Sequence, residues 1–251
     1  MRSAYFDPPG PRVLAHRGLS VDAPENTLLA FEHAVRAGAG YLETDVHVSA
    51  DGVAVIAHDP TLERVAGRTA AVAALSVAEL GRVDLGAGQG FSTLEDALGA
   101  FPGARFNIDV KTDAAADATV AAIERTGAQA RVLITSFSDR RRRRLAARLP
   151  GVVTSAGSLG VLRARLAAGS GRGSRFSRAL GGAAALQIPE RAGRLVLLSP
   201  ALIDAAHRVG VEVHVWTVND VGDMTRLLDL GVDGLVTDRA DLALALIAGR
   251  T

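Results

Sequence analysis

From residue 12 to residue 248 the chain alternates short apolar, β-branched runs with stretches of helical period. This limits the folds open to it more than any other feature. Strands are expected at 12–16, 41–48, 105–110, 131–136, 152–155, 183–188, 211–217 and 234–237, with 53–58 as an accessory strand after the second. Helical stretches fall between them, at 26–37, 93–101, 114–126, 138–149, 159–168, 200–209, 221–230 and 240–248. Repeated βα units call for a parallel sheet covered by helices. Eight units in 251 residues fit a closed (β/α)8 TIM barrel. No GxGxxG follows the first strand, which weighs against an open dinucleotide-binding sheet. No boundary interrupts the pattern, so 1–251 is read as one single barrel domain. Residues 169–182 (GSGRGSRFSRALGG) break the period and read as a solvated connector whose arginines could otherwise form an anion-binding rim.

Composition narrows the function classes. With 48% hydrophobic residues the chain is not disordered, and no apolar run approaches the roughly 20 residues of a membrane span. The opening MRSAYFDPPGPRV has no apolar signal core, so a cytoplasmic protein is expected. The absence of cysteine excludes a disulfide scaffold, an iron–sulfur cluster and a thiolate zinc site. Arginine supplies 27 of the 28 basic residues, so most arginines need no individual explanation, whereas the single lysine, Lys111, stands out. The five arginines at 140–144 fall on a predicted outer helix without the aromatics that accompany nucleic-acid binding, and no nucleic-acid partner is expected. The sequence is silent on oligomeric state.

The residues with chemistry concentrate between 14 and 111. Glu43 and Asp45 are two apart on a strand and share a face; Asp109 and Lys111 repeat the spacing on a later strand. In a parallel barrel all four can converge at the C-terminal mouth, where active sites sit. Three converging carboxylates raise one another's pKa unless a cation joins them, and a hard divalent ion prefers oxygen ligands. The same acids could instead be unrelated strand ends paired with arginines. His16 (in HRG) and His58 (in HDP) each end an apolar strand and could serve as general acid and general base. His47 is placed in the loop beyond its strand, and His214 is left unassigned. Arg17 offers a planar fork for phosphate oxygens. Trp216, the only tryptophan, could wall a pocket or simply pack.

These residues sit in a longer ordered series: AHRG at 15–18, APENT at 23–27, ETDVHVSADGVAVIAHDPTLERVAG at 43–67, STLEDAL at 92–98, NIDVK at 107–111, VWTVND at 215–220 and GVDGLVTDRAD at 231–241. The series resembles the glycerophosphodiester phosphodiesterase family over nearly the whole chain, about residues 12–241. The resemblance implies a TIM barrel that uses a divalent metal to hydrolyse small glycerophosphodiesters to an alcohol and glycerol 3-phosphate. It implies Glu43, Asp45 and Asp109 as ligands of one Mg2+ or Ca2+, with Mn2+ as a third option, and His16 and His58 as the acid–base pair. Arg17 and Lys111 become phosphate or substrate contacts, Glu25 a polar residue that orients its neighbours, and Trp216 the opposite wall.

The family usually carries glutamate where this chain has Asp109. The side chain is one methylene shorter, which leaves the choice of metal open. Only about 30 residues separate Arg64 from the helix at Thr93, so a small cap and an open mouth are expected. Two further readings use the same residues: a related phosphodiesterase acting on lysophospholipids or phospholipids, and a barrel that binds phosphoesters without catalysis. An exposed apolar lip would favour the first. Loss of His16, His58, Glu43 or Asp45 would favour the second, and all four are present.

Overall fold

The computed structural model describes residues 3–169 and 173–250. In chain order its strands are β1 (Arg12–His16), β2 (Tyr41–Val48), β3 (Ala54–Ile56), β4 (Arg105–Val110), β5 (Val132–Thr135), β6 (Val153–Thr154), β7 (Ala185–Ile188), β8 (Arg191–Ala192), β9 (Leu195–Val196), β10 (Glu212–Val215) and β11 (Gly234–Thr237). Eight of them pair in parallel in the order β6-β5-β4-β2-β1-β11-β10-β7. The two end strands meet through Ser155 and Ala185: the Ala156 and Ala184 N–H groups donate to the Ala185 and Thr154 carbonyls, each at 2.9 Å. That contact brings the ring round to a (β/α)8 barrel. The accessory β3 pairs antiparallel with β2, Val46 opposite Ile56. The chain from Asp59 to Phe91 then packs over it on a small apolar cluster of its own, including Leu62, Leu80 and Phe91.

The period-two parity of the strands separates two cores. Outward residues such as Val13, Leu42, Phe106, Ile108 and Ile134 pack against the helices. Leu14, Tyr41, Leu133, Val153, Ala185 and Val236 fill the barrel interior together with Tyr5 and Phe6 from the N-terminal segment. That segment closes the floor. Arg12 lies 3% exposed beneath the interior, with Nε and Nη2 on the Glu212 carboxylate at 2.7 and 2.8 Å, Nη1 on the Tyr41 hydroxyl at 2.7 Å and Nη2 on the Phe6 carbonyl at 2.6 Å. Above it a polar column rises through the barrel: Glu212 to His214 Nε2 at 3.0 Å, His214 Nδ1 to Gln187 at 3.3 Å and Gln187 to Asn107 at 3.2 Å. Gly234 makes room for the His214 ring, since a Cβ there would lie 2.8 Å from it.

Two local expectations change, and the arginine run falls on its expected helix. The segment 169–182 is not a plain connector: Gly173–Leu180 is a helix that buries Phe176 and Leu180 four residues apart, while 170–172 lie outside the described residues. Arg175 and Arg178 are exposed and do not line the site cavity. His47 is not beyond its strand but within β2, buried, with Nε2 3.2 Å from the His58 carbonyl. Four of the five arginines, Arg140, Arg141, Arg142 and Arg144, are ion-paired along that helix. Arg140 and Arg141 reach Asp113, Arg144 reaches Asp117, and Arg142 is buried, with Nη1 donating to the Thr154 hydroxyl at 3.0 Å.

Candidate active site

The register sets the site. Glu43 stands beside both His16 and Asn107, and Asp45 beside Asp109, so the inward residues at the C-terminal ends of β1, β2 and β4 form one polar tier. They open into a cavity of about 460 Å3 lined by His16, Arg17, Glu43, Asp45, His58, Asp109, Lys111 and Trp216. Eight of the nine residues picked from the sequence thus share one cavity. The ninth, Glu25, stands behind it and accepts hydrogen bonds from Arg17 Nη1 at 2.9 Å and Arg64 Nη2 at 2.6 Å.

The turn after β1 is tightly specified. Arg17 adopts φ 57°, which non-glycine residues rarely take, and its N–H donates to the Glu43 backbone carbonyl at 3.0 Å. Gly18 follows at φ +88°, and a Cβ there would lie 2.6 Å from the backbone carbonyl carbon of Ala30. Gly18→Ala therefore adds overlap to left-handed strain, for a loss of about 2–4 kcal/mol. Gly38→Ala, at φ +99° with open space around its Cβ, carries the strain alone. Thermal unfolding should show Gly18→Ala melting well below Gly38→Ala; equal melting points would show that Ala30 moves aside.

Each histidine is held by its own carboxylate. His16 Nδ1 lies 2.6 Å from Asp238 Oδ1, and the other Asp238 oxygen accepts from Asn219 at 2.7 Å. His58 Nδ1 lies 2.7 Å from Asp59 Oδ1, whose second oxygen accepts from Arg64 at 2.6 Å. A carboxylate on Nδ1 fixes the tautomer and leaves Nε2 for chemistry. In His16, Nε2 is 4.0 Å from Glu43 Oε2. Burial works against a charged His16 ring, but the Asp238 hydrogen bond and the Glu43 carboxylate outweigh it, so its pKa is raised. The His16 hydrogen bond in turn lowers that of Asp238.

The carboxylates are unequally compensated. Lys111 Nζ sits 2.7 Å from both Asp45 Oδ1 and Asp109 Oδ2, and Asp45 Oδ2 also meets Arg17 Nε at 3.3 Å and the Asn26 amide at 3.1 Å. Burial opposes ionisation of Asp45, but Lys111 and Arg17 prevail and lower its pKa. Glu43 is held less closely, its Oε2 accepting from the Arg17 N–H at 3.1 Å and facing His16 Nε2 at 4.0 Å, and burial, then the Asp45 charge, push its pKa up to about 8. Burial also raises Asp109, whose Oδ1 is buried and among the described residues accepts no hydrogen bond. No three histidine or acidic side chains among the described residues stand in a ready-made metal cluster. The donors are nonetheless all hard oxygens, and the Glu43 carboxylate, with no lysine or arginine side chain on it, and the open Asp109 Oδ1 fit a divalent cation.

Sequence reasoning passed over Asp59, Asp238 and Asn26. The first is visible in HDP and the second in VTDRAD, but each acts through a histidine and carries no signal of its own. Asn26, at φ 57°, lies in the PENT motif and accepts from the Thr44 hydroxyl at 2.8 Å while donating to Asp45. Also missed was the β8–β9 hairpin, which supplies Ala192 and Leu195 to the cavity wall.

Residues 16–242 match the glycerophosphoryl diester phosphodiesterase family. The chain belongs to it. A Mycobacterium tuberculosis protein named probable glycerophosphodiester phosphodiesterase 2 is 43% identical over 240 residues, covering 94% of this chain and 90% of its own length. Among solved structures, a glycerophosphodiester phosphodiesterase from Agrobacterium tumefaciens is 27% identical, with TM-score 0.78 over 95% of this chain and all of its own. A phosphodiesterase from Oleispira antarctica, solved with the product sn-glycerol-3-phosphate, shares the fold at TM-score 0.83 and 24% identity, over 98% of this chain and 100% of its own. No helix among the described residues of this family member is long and apolar enough to cross a membrane.

Proposed function

We propose that the chain hydrolyses glycerophosphodiesters to an alcohol and glycerol 3-phosphate, with His16 and His58 as its acid–base pair. One observation carries this reading: two histidines, each oriented by its own carboxylate, line the same cavity as two cations and three buried acids. Family membership supplies the substrate class and agrees with the reading.

The phosphodiester is an anion that repels its nucleophile. Arg17 and Lys111 draw its non-bridging oxygens toward the mouth and offset the charge that grows on them. One histidine takes the proton of the attacking oxygen, either water or the substrate's own 2-hydroxyl, and the other gives a proton to the departing alkoxide. Asp238 and Asp59 hold the rings in place, and Glu25 keeps Arg17 and Arg64 aligned. Trp216 walls the far side. Glu43, Asp45 and Asp109 would hold one divalent cation, Mg2+ or Ca2+ with Mn2+ as alternative, in competition with Lys111 for two of the acids. When bound, such an ion supplies Lewis-acid polarisation of the phosphoryl group.

The test is release of glycerol 3-phosphate from glycerophosphocholine, glycerophosphoethanolamine and glycerophosphoglycerol with Mg2+, Ca2+, Mn2+ or EDTA. Release that stops in EDTA and returns with excess metal is expected, and the best substrate names the head group. Folded protein that releases nothing with any of the metals overturns the reading; release undiminished by EDTA overturns its metal part.

A further inference from the structure

Among the described residues, none between His58 and Asn107 lines the cavity. Whatever the packed segment from Asp59 to Phe91 does for the site is therefore done at second hand, and Arg64 is the side chain placed to do it. Arg64 stands on the one-turn helix Glu63–Ala66, whose backbone is anchored by Leu62 and Val65 in the segment's own apolar cluster. Its guanidinium faces two ways. Nη1 and Nη2 donate to the two oxygens of Glu25 at 3.1 and 2.6 Å, while Nε donates to Asp59 Oδ2 at 2.6 Å.

Each of those carboxylates holds a residue of the site. Glu25 Oε1 also accepts from Arg17 Nη1 at 2.9 Å, and Asp59 Oδ1 lies 2.7 Å from His58 Nδ1. An unbroken line of charged partners thus runs Arg17–Glu25–Arg64–Asp59–His58. It joins the turn after β1 to the end of the stretch after β3, two parts of the chain that have no strand pairing with each other. Burial opposes ionisation of Glu25 and of Asp59, but Arg64 and Arg17 on the first, and His58 and Arg64 on the second, prevail and lower both pKa values. Both acids stay charged, and both line one small void of about 20 Å3 together with Arg64. Without the guanidinium between them, two like charges would share that void. Three N–H groups of one planar fork are engaged on two carboxylates, a geometry that the point charge of a lysine cannot reproduce.

Resting on the function proposed above, we infer that Arg64 is a positioning residue that fixes Arg17, the phosphate contact, and His58, the proton carrier, in one register through Glu25 and Asp59. It touches neither substrate nor reacting atoms. Its removal frees both arms at once, and a reacting group displaced by about an ångström can lose on the order of 10²-fold in rate.

The test is steady-state release of glycerol 3-phosphate from glycerophosphocholine by the full chain with its supporting metal. Glu25→Gln, which loosens the Arg17 arm, is expected chiefly to raise KM, and Asp59→Asn, which loosens the His58 arm, chiefly to lower kcat. Arg64→Ala should do both, with kcat/KM about 10- to 100-fold below wild type. The Arg64 side chain is 49% exposed, so its melting temperature should move little, and the space it leaves is open to a guest from solvent. Added methylguanidinium should then restore part of the lost kcat in Arg64→Ala and do nothing for the wild type. Arg64→Lys keeps the charge but not the fork, and it should stay well below wild type.

Arg64→Ala within about twofold of wild-type kcat/KM overturns the inference and leaves the parent function standing. So does a loss confined to KM alone or to kcat alone, or one that follows a fallen melting temperature and ignores methylguanidinium. Should Arg64→Ala not fold, Arg64→Lys decides: wild-type kcat and KM there would show that charge suffices without the two-sided fork, and the inference falls. Wild-type protein that releases nothing with any of the metals overturns the parent function and this inference together.

Discussion

Alanine at His16 or at His58 is expected to lower turnover of glycerophosphodiesters by about 10²–10⁴, the usual worth of a positioned proton donor or acceptor. Both rings line the cavity, and each has its Nδ1 taken by a carboxylate, so neither is replaceable by a neighbour in the same geometry. His47, although close, is buried in β2 with its Nε2 on the His58 carbonyl. In the proposed mechanism the two rings serve one proton circuit, so the double variant should fall little below the worse single variant. Steady-state release of glycerol 3-phosphate checks this. Either single variant keeping more than about a tenth of wild-type turnover would remove that histidine from the mechanism.

The second large effect concerns stability. Arg12→Met should cost about 3–5 kcal/mol, because it leaves the buried Glu212 without its two-point guanidinium partner and strips a donor from the Tyr41 hydroxyl and the Phe6 carbonyl. For a chain of this size that is a fall in melting temperature of roughly 6–20 °C. A double replacement, Arg12→Met with Glu212→Leu, should recover much of the loss, since an apolar pair of similar volume avoids the stranded charge. A single variant that melts with the wild type would mean that the ion pair's desolvation already cancels its attraction.

Much of this protein is legible in its sequence, and the part that is not has physical reasons. The barrel strands are readable because both faces of each are covered, which leaves short apolar runs such as Val13–Leu14–Ala15 and Phe106–Ile108–Val110 punctuated by inward polar residues. The site is readable because those polar residues fall at strand ends with two-residue spacing. The helix Gly173–Leu180 is masked by glycine and serine, and only the Phe176/Leu180 spacing betrays it. Five identical arginines hide the one that is buried, Arg142, because its burial is decided by Thr154 and two carbonyls from distant segments. The β8–β9 hairpin has two-residue strands, too short to show any period. Asp59 stands next to His58 in the chain but carries no chemistry of its own to mark it, and Asp238 meets His16 only by tertiary contact across 222 positions.

The floor built by Tyr5, Phe6 and the Arg12–Glu212 pair fills the barrel below the cavity, opposite its mouth. In the proposed reaction, substrate and water would enter, and both products leave, through the mouth at the C-terminal ends of the strands. On that proposal the alcohol, bound by fewer charges, is expected to leave before the dianionic product held by Arg17 and Lys111. The same two cations that favour capture would then also set how quickly the cavity empties for the next substrate.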